Sequence, residues 1–400
     1  MRLPLATIAL VAMAARPAAR LDAQQDTTVK WYDRFRFEGD MRVRFESIGV
    51  EENPNRGRIR IRMRTGFTVP VSKTVTAGFR VATAEVGSVT STNITLTGAF
   101  TLKNFGVERA YITWIPSNRV TVTAGKFGLP LIRPTGLIRS ELVFDEDVAP
   151  EGFHEQFNIV LNKEGVLRRL AILGEQWTTL EVSDGPDTWM LGGQAIADLT
   201  FSPRVSATIG SGYFGYVHGK TLATARNSNP ALLVSNSVVL RDGTVLEGGK
   251  ALAPPASNPF AGFVNDFEIL SGTAGIVVDK AFGSRPLQLY ADFAQNLGAE
   301  SENTAYWLSA SAGVLRKRGD WAASVIYARV PTEAVLSIYN YSDLGLGGTN
   351  NKGPIFQVQY RPGKDFTLSL RHHIMSAVNE ATGASAHSIH RLMLDAGVAF

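Results

Sequence analysis

The chain has 400 residues, of which 44% are apolar, and its mean hydropathy is +0.01. It contains no cysteine, which excludes a disulfide scaffold and a thiolate metal site. Its formal charge of +4 is small for the length, and no nucleic-acid partner is implied. A near-zero hydropathy usually marks a soluble globule, but a barrel that alternates lipid-facing and water-facing residues averages to the same value, so periodicity has to decide.

The N-terminus carries Arg2, an apolar run from Leu3 to about Ala15, and the small Ala23 ahead of a polar stretch. This pattern predicts a secretory signal peptide over 1–23, cut after Ala23, because the apolar run is shorter than the roughly 20 residues a helix needs to span a bilayer. Next comes the strongest signal in the chain. Arg34, Arg36, Glu38, Asp40, Arg42, Arg44 and Glu46 alternate with Phe35, Phe37, Gly39, Met41, Val43 and Phe45, which gives a strand one greasy face and one ionic face. The pattern repeats at once, with Arg58, Arg60, Arg62 and Arg64 set between Gly57, Ile59, Ile61, Met63 and Thr65. Strands this long and this divided are what a membrane barrel requires.

Strand patterns continue over 34–47, 56–69, 74–84, 106–115, 119–128, 156–163, 166–182, 189–201, 205–216, 266–278, 286–296, 304–315, 321–331, 353–361, 365–375 and 388–400. The expected fold is therefore all-β, a transmembrane antiparallel barrel of about sixteen strands over 24–400. Short connections such as Pro116-Ser117-Asn118 and Ser202-Pro203-Arg204 alternate with long ones at 85–105, 129–155, 217–265 and 332–352, as expected when one rim faces the periplasm. Trp114, Phe201, Tyr213, Trp321, Tyr327 and Tyr360 fall near strand ends and fit an interfacial girdle. In the last strand Leu392, Leu394, Ala396, Val398 and Phe400 share one face, with Arg391, Asp395 and Gly397 on the other.

Segments running through most of the chain resemble one family. They include Arg56-Gly57-Arg58-Ile59-Arg60-Ile61-Arg62, Glu108-Arg109-Ala110-Tyr111-Ile112, Thr123-Ala124-Gly125-Lys126-Phe127, Pro150-Glu151-Gly152, Leu191-Gly192-Gly193-Gln194, Gly319-Asp320-Trp321 and Ser342-Asp343-Leu344-Gly345. The series resembles the "Putative porin" family of bacterial outer membranes, relatives of the phosphate-selective porins. That resemblance implies an outer-membrane channel in contact with lipid, passing small hydrophilic solutes, and homotrimers are usual for porins of this strand number. It also implies that the terminal Phe400 is read by the barrel assembly machinery.

The ionic faces of the first two strands supply the candidate pore lining: Arg34, Arg36, Arg42, Arg44, Arg58, Arg60, Arg62 and Arg64, with Lys126 at a loop entrance. Arginine stays charged and its fork suits phosphate or carboxylate, so such a ladder favours anions. Full neutralisation by acids of neighbouring strands or of an inward loop is the opposing reading. The span 129–155 is the third on the long-loop rim and holds Glu141, Asp145, Glu146, Asp147 and Glu151, which makes it the candidate constriction loop. The spans 217–265 and 332–352 read as surface loops, folded in part over the mouth; within the second, Asp343 to Gly353 lacks the acids of a calcium cage. Of the six histidines, neighbours on one strand point to opposite faces, and no catalytic constellation or cofactor motif appears. The expected function is a passive diffusion channel with an anion preference. The alternative is a non-conducting barrel that presents surface loops.

Overall fold

The computed structural model describes residues 30–51, 53–131, 140–380 and 388–400. The expected leader at 1–23, part of the 129–155 span and His387 lie outside them. Sixteen long strands close on themselves, here numbered in chain order: β1 Arg36–Val50, β2 Arg56–Pro70, β3 Val75–Thr83, β4 Phe105–Ser117, β5 Val120–Lys126, β6 Glu151–Leu161, β7 Leu167–Leu180 and β8 Thr188–Ser202. The second half comprises β9 Val205–Val217, β10 Glu268–Phe282, β11 Arg285–Asn296, β12 Thr304–Gly313, β13 Trp321–Val330, β14 Asn351–Tyr360, β15 Phe366–Ala377 and β16 Ile389–Ala399. Each strand pairs antiparallel with the next, and β1 pairs with β16 from Asp40 opposite Ala399 to Val50 opposite Ile389, which leaves no open edge. Closure is what lipid demands, because an unpaired backbone group there meets no water. Among the described residues no helix is long and apolar enough to cross a membrane.

The alternation appears directly as exposure. Phe37, Met41, Val43, Phe45, Ile59 and Met63 are exposed on the outside of the barrel, whereas Arg44, Glu46 and Arg60 between them are buried. All six girdle aromatics lie on the outside: Trp114, Phe201, Trp321 and Tyr360 near the short-turn rim, Tyr213 and Tyr327 near the opposite one. The Phe400 ring rests over Gly39, where an added Cβ would come within 2.5 Å of it, and the backbones of the two residues exchange hydrogen bonds.

Four sequence expectations need correction. Arg34 precedes the barrel, in the 3-10 turn Trp31–Arg34, because the amides of Asp33 and Phe35 close turns on Lys30 and Tyr32. Glu151 is not in a loop but opens β6, paired with Lys126 of β5; charged rim residues carry little strand propensity, so the sequence hides this extension. The long-loop rim is not uniformly long, since the connections at 51–55, 181–187 and 297–303 are brief.

The largest departure concerns the loops at 218–267 and 331–350. They do not sit on the surface but pack into the barrel. Val335, Leu336, Ile338 and Leu344 of the second join Leu222, Val234, Val238 and Phe260 of the first, together with Leu142 and Phe144 of the 127–150 loop. They cover inward-facing Trp177, Met190, Phe214, Ile269, Trp307 and Ile326 of β7 to β13, forming an apolar core inside the barrel. The polar composition that reads as exposure is consumed internally. Asn236 donates to the carbonyls of Thr332 at 2.6 Å and Val335 at 2.9 Å, and accepts from the Ser337 amide at 2.8 Å. Ser235 and Thr349 hydroxyls meet at 2.9 Å, so these two buried groups satisfy one another.

Candidate functional site: the barrel interior

The β1–β2 register sets the electrostatic problem of the interior. It places Glu46 opposite Arg58 and Asp40 opposite Arg64, but also Arg44 opposite Arg60 and Arg42 opposite Arg62. Like charges directly across a ladder destabilise it, so carboxylates must come from elsewhere. One comes from β16, where Asp395 stands opposite Arg44 and receives its Nε and Nη2 hydrogen bonds at 2.7 and 2.9 Å. Another comes from the 331–350 loop, where Asp343 accepts from Arg44 at 2.8 Å and from Arg391 at 2.6 Å.

The carboxylates are shared. Asp40 takes Arg62 at 2.8 Å and Arg64 at 2.6 Å; Glu46 takes Arg58 at 2.5 Å and also pairs with Arg391, with Arg60 at 3.7 Å. Arg42 donates to the Asn93 side chain at 2.7 Å and lies 3.8 Å from Asp395. Burial works against the charge on Asp343, yet Arg391, Arg44 and Arg60 hold its carboxyl well below the usual carboxylate range. Arg36, at the start of β1, is exposed and stands apart from this network, as does Arg34.

The five acids expected on a constriction loop divide. Asp147 meets Arg64 at 3.2 Å and accepts from the Thr92 hydroxyl at 3.2 Å, and although burial opposes it, Arg62, Arg64 and Arg42 lower its carboxyl. Glu146 lines a cavity with Arg64, Arg80 and Arg109. Asp145 turns to the 331–350 loop, where it accepts from the Ser342 amide at 3.0 Å and hydroxyl at 2.8 Å. Burial and the Asp147 charge push its carboxyl up to about 8. Glu141 accepts from the Glu146 amide at 3.0 Å, and burial with Asp145 and Glu146 raises it well above normal. Glu151 pairs with Lys126 at 2.6 Å in an exposed position at the rim.

Several interior residues escaped the sequence reading. Arg80 grips Glu108 through two 2.5 Å hydrogen bonds, and Arg371 bonds the Tyr341 hydroxyl and Gln357. Arg391 and Asp395 were legible as the inward face of the last strand, and closure onto β1 is the signal that joins them to the ladder. Asp343 had no such signal, because nothing local shows that its loop turns inward. Two histidines on consecutive strands also meet, outside this network: His372 Nε2 and His390 Nδ1 lie 3.4 Å apart on β15 and β16 in an exposed position. Among the described residues no group of three or more metal-ligating side chains forms.

The family model described as "Putative porin" matches residues 48–400. The chain belongs to this porin family. Its fold is similar to that of Pseudomonas putida OprB in a high-pH structure, with a TM-score of 0.59, 10% identity, and coverage of 94% of this chain and 96% of that one. It is also similar to Salmonella typhi OmpF, solved in complex with daunomycin, with a TM-score of 0.52, 10% identity, and coverage of 92% and 97%. No curated protein matches it by sequence. The porin is an outer-membrane channel, and its interior consists of the ionic network and loop core described above.

Proposed function

We propose that this porin is a passive diffusion channel for small hydrophilic solutes that prefers anions. The observation that carries the reading is the sharing of counter-charges. Seven guanidinium groups, those of Arg42, Arg44, Arg58, Arg60, Arg62, Arg64 and Arg391, share five carboxylates, those of Asp40, Glu46, Asp147, Asp343 and Asp395. Positive charge remains after every pairing, and a confined interior with low-dielectric walls focuses its field on passing ions. The reading assigns the pore lining to these arginines and keeps Lys126 at its margin. It includes trimeric assembly in the membrane and recognition of Phe400 by the assembly machinery.

Planar-bilayer recording under a potassium chloride gradient tests it. A reversal potential of the sign set by chloride is expected, and Arg60→Glu with Arg62→Glu shifts it towards potassium. A potassium-selective wild type would overturn the anion preference. A second reading, a non-conducting barrel, draws on the loop core that occupies the extracellular half; an electrically silent but folded protein would favour it.

A further inference from the structure

We propose that the cavity beside Arg109 is a binding station for amphipathic monocarboxylates, solutes that join one carboxylate to an aromatic or branched aliphatic body. The inference rests on the channel reading and names the solute class that the interior favours.

The site begins with a β-bulge. Arg80 of β3 stands opposite Arg109 of β4, but its neighbour Val81 stands opposite Val107, so Glu108 is the extra residue. In a regular strand Glu108 and Arg109 would point to opposite faces, and one ionised side chain would enter lipid. The bulge lets both turn inward while Val107, Ile112 and Trp114 stay outside. Glu108 is then occupied by Arg80, and Arg64 by Asp40 and Asp147. Arg109 is left over. Among the described residues it makes no hydrogen bond or ion pair, and its Nε is buried without an acceptor. A partly buried guanidinium in this condition carries a desolvation cost that a carboxylate fork relieves.

Its seat is prepared. A Cβ on Gly128 would lie 2.6 Å from the Arg109 Cζ, so in this position the guanidinium rests directly on the loop backbone at Gly128. The adjoining cavity has a volume of about 460 Å³, room for an aromatic ring with its carboxylate. Its lining joins Arg109 and the hydroxyl-bearing Tyr111, Thr113 and Thr123 to the apolar Leu129, Pro130 and Leu131, while Arg64 and Arg80, which also line it, are already held by carboxylates. Inorganic phosphate, which wants donors all round, would be stripped of water against the leucines. Glu146 also lines the cavity and, with Arg64 and Arg80 already ion-paired, further penalises a dianion. A monocarboxylate with an apolar body satisfies both kinds of lining, the arrangement typical of sites for small organic ligands.

The test uses benzoate, acetate and inorganic phosphate as blockers of chloride current through single channels, with parallel calorimetric titration of folded protein in detergent. Benzoate is expected to block at concentrations about tenfold below those of acetate and phosphate, and Arg109→Gln to weaken benzoate by about tenfold, a usual scale for losing one charge-assisted fork. Arg109→Lys, which keeps the charge but not the fork, falls between them. Leu129→Ser lowers the benzoate-to-acetate preference and serves if the Arg109 variants fail to give the heat-resistant folded form on gels. Equal block by benzoate and acetate, or an Arg109→Gln channel as sensitive as wild type, overturns the station. Benzoate binding by a protein without conductance would sink the channel reading alone, and ion conduction without benzoate preference would sink the station alone.

Discussion

The two walls of this barrel interior are built on opposite principles. β1 to β4 with β15 and β16 turn guanidinium and carboxylate groups inward, whereas β7 to β13 turn inward Trp177, Met190, Phe214, Ile269, Trp307 and Ile326. Each wall is incomplete without the loops, but for different reasons. The apolar wall needs covering from water, and the charged wall needs anions that its own register cannot supply. The 331–350 loop answers both: Val335 and Leu336 pack on the apolar side while Asp343 reaches across to Arg44 and Arg391. One loop therefore couples hydrophobic burial to charge neutralisation, and variants that separate the two functions show which wall holds it.

The largest effect is expected from Asp343→Asn. Removing one partner of a buried ion pair leaves uncompensated charge and typically costs about 3–5 kcal/mol. Here two guanidinium groups, each with a side chain 3% exposed, lose their shared carboxylate. The folded form should melt at lower temperature on heat-modifiability gels, and single channels should become larger, noisier and more anion-selective as the loop detaches. Unchanged conductance would show that the apolar wall alone retains the loop. The complementary cut is Asn236→Ala, which breaks three hydrogen bonds between the 218–267 and 331–350 loops without touching the charged wall. Leaving buried carbonyls and an amide unpaired costs about 1–3 kcal/mol. Noise should rise with selectivity unaltered, and a shift in reversal potential would mean that the two walls are not separable.

A pH effect of intermediate size follows from Asp145. Burial and Asp147 push its carboxyl up to about 8, so between its ordinary value near ~3.9 and that point the unfolded chain releases a proton that the folded one keeps. Its contribution is intact below the unfolded value, declines as pH rises through the window, and is flat above about 8. Once ionised, Asp145 faces Asp147 at the contact between the 127–150 and 331–350 loops. Channel closures should be longer-lived at pH 6 than at pH 9, recorded at constant salt, and Asp145→Asn should flatten the difference. Persistence of the full pH response in that variant would move the titration to another group.

The two walls were unequally legible in the sequence. The charged wall announced itself because side chains of a strand change face at each residue, and an ionic face of Arg and Glu beside Phe, Met and Ile leaves no choice of register. Strand bounds followed closely, as at 56–69 against Arg56–Pro70, and the closing strand carried Arg391 and Asp395 on its inner face. The apolar wall was hidden, because Ser235, Asn236 and Ser337 have the composition of an exposed loop and become core only by bonding one another. Glu108 and Arg109 were ambiguous for a related reason: a bulge breaks the period on which the facing of every later residue is counted.

The smallest effect is expected from Lys126→Gln, and it tests whether the ladder or the loop entrance discriminates between ions. Lys126 lies 2.6 Å from Glu151, but the side chains are 32% and 63% exposed, and a pair so open to water contributes at most about 1 kcal/mol. Its field is also screened within about 8 Å at physiological salt, unlike that of the buried arginines. The reversal potential should therefore move less for Lys126→Gln than for Arg62→Gln, although each removes one positive charge. Equal shifts would place the discriminating field at the rim, and the charged wall would then be a device for holding the loop instead of a filter.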